Sequence, residues 1–217
     1  MVSDRGGSTT SICMDPRYPP LPDAPVRRPT GLRSAHSAPD NRVTGALTRL
    51  VAPADRCEDA GMDSLTHAGS VVVRSSPEAL YALVSDVTRT GEWSPICTAC
   101  WWDEGASAEV GAWFTGRNQV PGRTWETRSQ VVAAEPGREF AFLVGGKLVR
   151  WGFTMEPVEG GTRLTESWEF LPAGQEFFAE RYGADAQAQI DDRTRSAHES
   201  IPATLAALKG IAEGAPR

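Results

Sequence analysis

The sequence of 217 residues predicts an α+β fold in which a curved, seven-stranded antiparallel sheet surrounds one long C-terminal helix. Three observations favour this fold. Short runs of alternating apolar residues, separated by turns that contain Gly or Pro, occupy positions 96–171. One strand and two short helices precede them. A long helix with a single apolar stripe follows them, so the predicted order is β-α-α-β-β-β-β-β-β-α.

The opening elements lie between residues 66 and 93. The β-branched run Val71–Val73 predicts the first strand. Ser76 is a suitable N-cap for the helix that follows, and Pro77 occupies its first position. A second short helix is predicted from Asp86 to Trp93, and Pro95 follows its end.

Six further strands are predicted, and turn signals such as Pro121-Gly122 and Gly145-Gly146 separate them. Successive side chains of a strand point to opposite sides of the sheet, so alternation defines an inner face. That face is mainly aromatic and also carries small polar residues. The predicted bounds are 96–103, 110–119, 124–134, 139–144, 148–157 and 162–171.

The last helix is predicted from Ala186 to about Glu213. Its apolar residues recur mostly at steps of three and four, which places them on one helical face. That stripe consists of Ile190, Ala197, Ile201, Leu205 and Leu208. Because Thr194 and Ala197 stand where large apolar residues would pack against the sheet, we expect a cavity on this face.

Residues 1–61 differ in composition from the rest of the chain. They hold eight of the sixteen prolines and contain no Trp, Phe or Lys. This composition predicts a disordered tail, with one folded domain at 62–217. Met62 immediately precedes the first patterned strand, so translation that begins at Met62 is an equally good interpretation.

Charge and hydropathy restrict the partners. The net charge of −6 argues against nucleic-acid binding, because surfaces that bind nucleic acid carry clustered positive charge. No run of 18 apolar residues exists, so no membrane span is predicted. The N-terminus lacks the apolar core of a secretory signal, and we expect a cytoplasmic protein. The oligomeric state stays open.

Several segments occur in the order typical of one superfamily. They are the opening helix 75–86, the run 93–95, the strands 111–118, 125–142 and 160–170, and the terminal helix 204–213. In these segments the chain resembles the START-like (SRPBCC) superfamily, which includes lipid-transfer START domains and bacterial polyketide cyclase/dehydrase proteins. The resemblance implies the helix-grip fold and a mostly apolar cavity, between sheet and last helix, that takes small hydrophobic ligands.

The inner-face alternation and this resemblance together predict the ligand-binding residues. They are Phe114, Trp125, Thr127, Ser129, Phe140, Phe142, Trp151, Phe153, Glu166, Trp168 and Ile201. Phe177, Phe178 and Tyr182, in the connection 172–183, form either a lid over the cavity or ordinary packing against the sheet.

Three polar residues are weak catalytic candidates. Glu166 lies on the inner face, where a carboxylate needs a partner or stays protonated. Asn118 offers an amide to a ligand or bonds the neighbouring turn. His198 borders the apolar stripe and exchanges protons near neutral pH, although a lone His is more often structural. The catalytic residues themselves stay unknown.

Cys97 and Cys100 form a C-x-x-C pair on a predicted strand. Residues three apart on a regular strand point to opposite faces, which argues against a shared metal or redox site. No nucleotide or dinucleotide motif is present, so we predict no cofactor and no metal.

Three functions compete. The first is binding of a lipid, polyketide or aromatic metabolite in the cavity. The second is a polyketide aromatase/cyclase, so enzymatic activity stays open. The third is a protein-interaction module of the chaperone-activator or toxin-like kind, which needs an exposed apolar patch.

Overall fold

A computed structural model of the protein describes residues 63–103 and 105–214. The strands are β1 (Leu65–Val73), β2 (Cys97–Trp102), β3 (Trp113–Val120), β4 (Arg123–Glu135), β5 (Glu139–Val144), β6 (Val149–Val158) and β7 (Gly161–Phe170). The α-helices are α1 (Pro77–Ser85), α2 (Pro172–Tyr182) and α3 (Ala186–Ala212). Short 3₁₀ turns occupy Val87–Glu92 and Gly183–Asp185. The tail predicted at 1–61 and the alternative start at Met62 lie outside the described residues.

All neighbouring strands pair antiparallel, in the order β1-β7-β6-β5-β4-β3-β2. The predicted α+β class, with a seven-stranded sheet and a long C-terminal helix, is confirmed. Because β1 pairs with β7, the first and last strands are neighbours, and the remaining strands follow as a meander to the other edge at β2.

The start of α1 follows its local signals. The Ser76 hydroxyl accepts a hydrogen bond from the Ala79 N–H at 3.2 Å, and Pro77 stands at the first helical position. This cap satisfies a donor that has no partner within the helix. Leu80, Leu83 and Val84 of α1 are buried against the core.

The apolar stripe of α3 packs as its spacing predicts. Ile190, Ala197, Ile201, Leu205 and Leu208 are all buried. Gly69 of β1 permits the helix to approach closely, because it presents no side chain beneath Ile201 and Leu205. The helix and sheet therefore touch along β1, while α3 leaves space over other strands.

The connection 172–183 differs from its prediction, since most of it is the helix α2. This segment lacks an amphipathic pattern, so Pro172 at its first position is the main local signal for a helix. Phe178 packs edge-on against Phe170 of β7, with ring centroids 5.0 Å apart. Tertiary packing of this kind stabilises a helix that has no apolar stripe of its own.

No helix among the described residues is long and apolar enough to cross a membrane.

Candidate functional site

A cavity of about 880 Å³ lies between the inner face of the sheet and the helices. Strands β2 to β7 contribute side chains to its wall, and α2 and α3 close the other side. Most of the wall is aromatic or aliphatic. The cavity therefore has the size and lining of a site for an apolar small molecule, which typically occupies roughly 300–1,000 Å³.

The structure brings most of the predicted ligand-binding residues together in this wall. Those that line the cavity are Phe114, Trp125, Thr127, Ser129, Phe140, Phe142, Trp151, Phe153, Glu166 and Trp168. Ile201 does not line it. Its side chain is fully buried against β1, because Gly69 leaves room there, and the neighbouring residues of α3 face the cavity instead.

The aromatic part of the wall contains several edge-to-face contacts. Phe114 and Phe142 have ring centroids 5.0 Å apart, at an interplanar angle of 80°. Trp93 meets Phe153 at 5.6 Å and 82°. Such contacts hold each ring in one orientation, so the wall is preformed.

From position 196 onward, the α3 side of the wall consists of small residues. Ser196, Ala197, Ser200 and Thr204 line the cavity, and their spacing places them on one helical face. Thr194 does not line it, and its hydroxyl donates to the Ile190 carbonyl at 3.0 Å. Since short side chains leave a gap where Leu or Phe would fill it, this face produces the empty volume.

Glu166 is a buried carboxyl group in the cavity wall. It pairs with Phe153 of β6 on one side and with Gly69 of β1 on the other, so no polar side chain stands beside it across the sheet. Its side chain is 4 % exposed, and Oε2 has no hydrogen-bond partner within the described part of the chain. Burial raises the pKa of Glu166 to about 8. The group is therefore mainly protonated at neutral pH.

Trp93 adds a second polar group to the same wall. It follows the 3₁₀ turn 87–92 and is 8 % exposed. Its Nε1–H is buried and finds no acceptor among the described residues. Two residues of the cavity wall, Trp93 and Glu166, thus each carry a buried polar atom without a partner in the described chain, and leaving such groups unpaired costs free energy.

Asn118 also lines the cavity, but its amide is engaged. Nδ2 donates to the Thr127 hydroxyl at 3.2 Å and to the Gly116 carbonyl at 3.3 Å. The side chain therefore joins β3 to β4 within the wall. Thr127 is held in place by the same contact.

His198 lies outside the cavity lining. It is exposed on α3, and its ring stacks on His67 of β1 with centroids 3.7 Å apart. Ala197, its neighbour, occupies the cavity-facing position. Of the three catalytic candidates, the structure brings Glu166 and Asn118 to one cavity and leaves His198 against His67 of β1, outside the cavity lining.

Helix α2 and the start of α3 form a wall that mixes aromatic and cationic groups. Phe178 contacts Tyr182 at 5.1 Å, and the Arg193 guanidinium lies 5.9 Å from the Phe178 ring. The Arg181 guanidinium lies 5.6 Å from the Tyr182 ring. These residues all line the cavity, and the arginines are functional candidates that sequence patterning did not single out.

The expectation that Cys97 and Cys100 point to opposite faces is wrong. The pairing of β2 with β3 skips Thr98, so a β-bulge places Cys97 opposite Asn118 and Cys100 opposite Gly116. Asn118 and Gly116 are two residues apart and share a face, and the two cysteines therefore share it too. Both line the cavity, with their Sγ atoms 3.3 Å apart.

No group of three or more His, Cys, Asp or Glu side chains in the described parts of the chain is arranged to hold a metal ion.

The comparisons with known proteins agree with this architecture. A family model described as "Polyketide cyclase / dehydrase and lipid transport" matches residues 65–197. The chain belongs to this family. The match covers the whole sheet and ends at Ala197 in α3, so it includes nearly all of the cavity wall. No curated protein matches the sequence.

Solved structures of this family and fold are similar to the chain. The solution structure of a polyketide cyclase-like protein from Corynebacterium glutamicum is 52 % identical, with a TM-score of 0.53. The alignment covers 69 % of this chain and 91 % of that one. A protein from Chromobacterium violaceum is 17 % identical at a TM-score of 0.50, over 70 % of this chain and 99 % of that one.

The di-domain ARO/CYC protein of the steffimycin biosynthetic pathway has the same fold at 16 % identity and a TM-score of 0.54. The alignment covers 70 % of the present chain but 51 % of the steffimycin protein. The present chain therefore spans about half the length of that di-domain protein.

Proposed function

We propose that this protein binds a hydrophobic small molecule in the cavity between the sheet and α3. The observation that carries the proposal is the preformed volume of about 880 Å³ with its aromatic wall. Burial of an apolar ligand surface there releases water from both partners, which favours binding by about 25 cal/mol for each Å² removed from water.

The polar groups in the wall narrow the class of ligand. Once its buried polar atom turns toward the cavity, Trp93 offers an N–H donor, and the protonated Glu166 offers a donor and an acceptor. A ligand with carbonyl or hydroxyl groups on an apolar body satisfies them, whereas a plain hydrocarbon leaves them unpaired. This chemistry favours an oxygenated aromatic or polyketide-like molecule over a simple acyl chain. The description of the family covers both polyketide cyclases and lipid transport, and the similar ARO/CYC protein of the steffimycin pathway supports the polyketide-like class.

A titration with matched probes tests this proposal. We would add 1,8-dihydroxyanthraquinone, anthracene or palmitate to the protein, follow tryptophan fluorescence and determine the stoichiometry by native mass spectrometry. Four tryptophans in the wall report directly on ligand entry: Trp93, Trp125, Trp151 and Trp168. We expect one equivalent of the anthraquinone to bind about tenfold or more tighter than anthracene, equivalent to about 1.4 kcal/mol.

A Trp93→Phe variant is the matched control, because it keeps an aromatic ring and removes the donor. This variant should weaken binding of the anthraquinone more than binding of anthracene. Binding of none of the three probes would overturn the proposed function. Tighter binding of palmitate than of the anthraquinone would overturn the polyketide-like class and leave a lipid.

Glu166 supports a second candidate, an aromatase/cyclase-type enzyme. A carboxyl with a pKa of about 8 inside an apolar cavity holds a proton that it can exchange near neutral pH. Ring closure of a poly-β-ketone needs a proton removed from carbon and a proton delivered to the carbonyl oxygen. The test is incubation with a poly-β-keto thioester mimic, followed by mass spectrometry for loss of water. Glu166→Gln should abolish turnover and retain binding, while His198→Gln should leave turnover unchanged.

A protein-interaction role finds no comparable support. Val72, Trp101 and Val110 are the exposed large apolar residues of the described chain. Val72 lies on edge strand β1 and Trp101 on the opposite edge strand β2, so these two do not form one patch.

A further inference from the structure

Cys97 and Cys100 are two free thiols in the cavity wall that the proposed binding function does not use. Their sulfur atoms lie 3.3 Å apart, within hydrogen-bonding distance of each other. Both side chains are partly buried, and both are accessible to a small molecule that enters the cavity. Two adjacent thiols can form a disulfide when their side chains rotate and bring the sulfur atoms to the S–S bond length of about 2.05 Å.

Two features of the fold place them side by side. The bulge at Thr98 turns both cysteines to the inner face of the sheet. Gly116 of β3 then supplies the space, because a Cβ there would lie 3.1 Å from Cys100 Sγ and 3.4 Å from Cys97 Sγ. Any side chain at position 116 would therefore crowd both sulfur atoms.

The 3₁₀ turn 87–92 makes the two thiols unequal. Gly91 permits this turn to pack on the bulge, since a Cβ there would lie 2.5 Å from the Thr98 carbonyl oxygen. Thr90, beside it, lies near Cys100 and also lines the cavity. The hydrogen bond with Cys97 lowers the pKa of the Cys100 thiol, burial opposes it, and the nearby Thr90 hydroxyl lowers the pKa further. The hydrogen bond to Cys100, together with burial, raises the pKa of the Cys97 thiol.

We propose that Cys97 and Cys100 are a redox-active dithiol site that reduces low-molecular-weight disulfides, with Cys100 as the attacking thiol and Cys97 as the resolving thiol. The Cys100 thiolate attacks one sulfur of R–S–S–R, the S–S bond breaks, and RS⁻ leaves and takes up a proton. A mixed disulfide joins Cys100 to the second R–S group. Cys97 then loses its proton and attacks the Cys100 sulfur, which forms the Cys97–Cys100 disulfide and releases the second RSH. Two electrons pass from the protein to the reagent.

The test uses the full chain with Cys13→Ser and Cys57→Ser, so that only this pair reacts. The reduced protein is treated with bis(2-hydroxyethyl) disulfide, denatured in acid, alkylated and digested with trypsin. Both cysteines lie on one tryptic peptide, residues 90–117. We expect this peptide to be unalkylated and two hydrogens lighter. A peptide that retains one or two 2-hydroxyethylthio groups, without the internal disulfide, would overturn the proposal.

Single variants assign the roles. With Cys97→Ser, the mixed disulfide should accumulate on Cys100. With limiting iodoacetamide at neutral pH, the protein that keeps both thiols should label Cys100 in about tenfold excess over Cys97, because the thiolate is the nucleophile. Equal labelling would overturn the assignment.

Thr90→Val leaves both cysteines in place, and it should slow the iodoacetamide labelling of Cys100 several-fold without changing the urea unfolding midpoint. In concentrated urea the preference for Cys100 should vanish, and its persistence there would show that local sequence, not the fold, produces it.

Discussion

Ile201 of α3 packs directly on Gly69 of β1. A Cβ atom at position 69 would lie 2.9 Å from Ile201 Cγ2 and 3.3 Å from Leu205 Cδ1, so the helix rests on the backbone of the strand. This contact holds α3 close to β1 while the small residues of the helix face the cavity. It explains why Ile201, expected in the cavity wall, is instead part of the helix–sheet packing.

Gly69→Val should therefore destabilise the fold by about 1–3 kcal/mol, since extra atoms in a packed region force side chains and backbone to shift. The measurement is the free energy of unfolding in urea. Ala68→Val is the matched control, because Ala68 is exposed on the other face of the same strand and Val suits a strand. Equal stability of the two variants would contradict the close packing of α3 on Gly69.

Glu166 should make stability fall as the pH rises. Its pKa is about 8 in the folded protein against an ordinary value of 4.5, so the folded state holds a proton that the unfolded state has lost between these values. Stability from this group is complete below pH 4.5 and declines toward pH 8, by at most about 1.4 kcal/mol per pH unit.

Glu166→Gln removes this titration, and its stability relative to the unsubstituted protein should rise by a few kcal/mol from pH 5 to pH 8. Urea unfolding at several pH values measures the difference. Glu169→Gln, on the opposite face of β7, should not reproduce it. A constant gap between Glu166→Gln and the unsubstituted protein across this range would show that Glu166 ionises normally.

Filling the cavity from α3 should block binding without unfolding the protein. Ser200 lines the cavity, so Ser200→Leu should weaken the anthraquinone probe by about tenfold or more, equivalent to about 1.4 kcal/mol. Ala203→Leu, exposed on the same helix, adds the same side chain outside the cavity and should leave affinity unchanged. Fluorescence titration of both variants decides the matter, and equal affinities would mean that the probe binds elsewhere.

The stacked pair His67 and His198 should lower stability in acid. Burial, and secondly the charge of His198, lower the pKa of His67 below its ordinary value of 6.5. The unfolded state then binds more protons below pH 6.5, so stability is lost as the pH falls. His198→Gln should reduce the loss between pH 7.5 and pH 5, while His198→Lys, which keeps a positive charge, should not. Identical pH profiles for the two variants would refute a coupling through charge.

Local patterns in the chain predicted the seven strands, helix α1 and helix α3. The cap at Ser76, the alternation in β7 and the stripe of α3 are short-range features, and each reports which face of an element is buried. Because an inner face must line whatever the sheet encloses, they also predicted most of the cavity wall. The family resemblance implied a cavity between the sheet and the last helix.

What the tertiary structure alone decided depends on contacts between distant segments. The bulge at Thr98 arises from pairing with β3, and the sequence of β2 does not predict it. The place of Ile201 depends on Gly69, more than one hundred residues earlier in the chain. Helix α2 forms where Phe178 meets Phe170. Alternation along one strand cannot reveal such features, because it reports the face of a side chain but not the register or the side chain that meets it across the core.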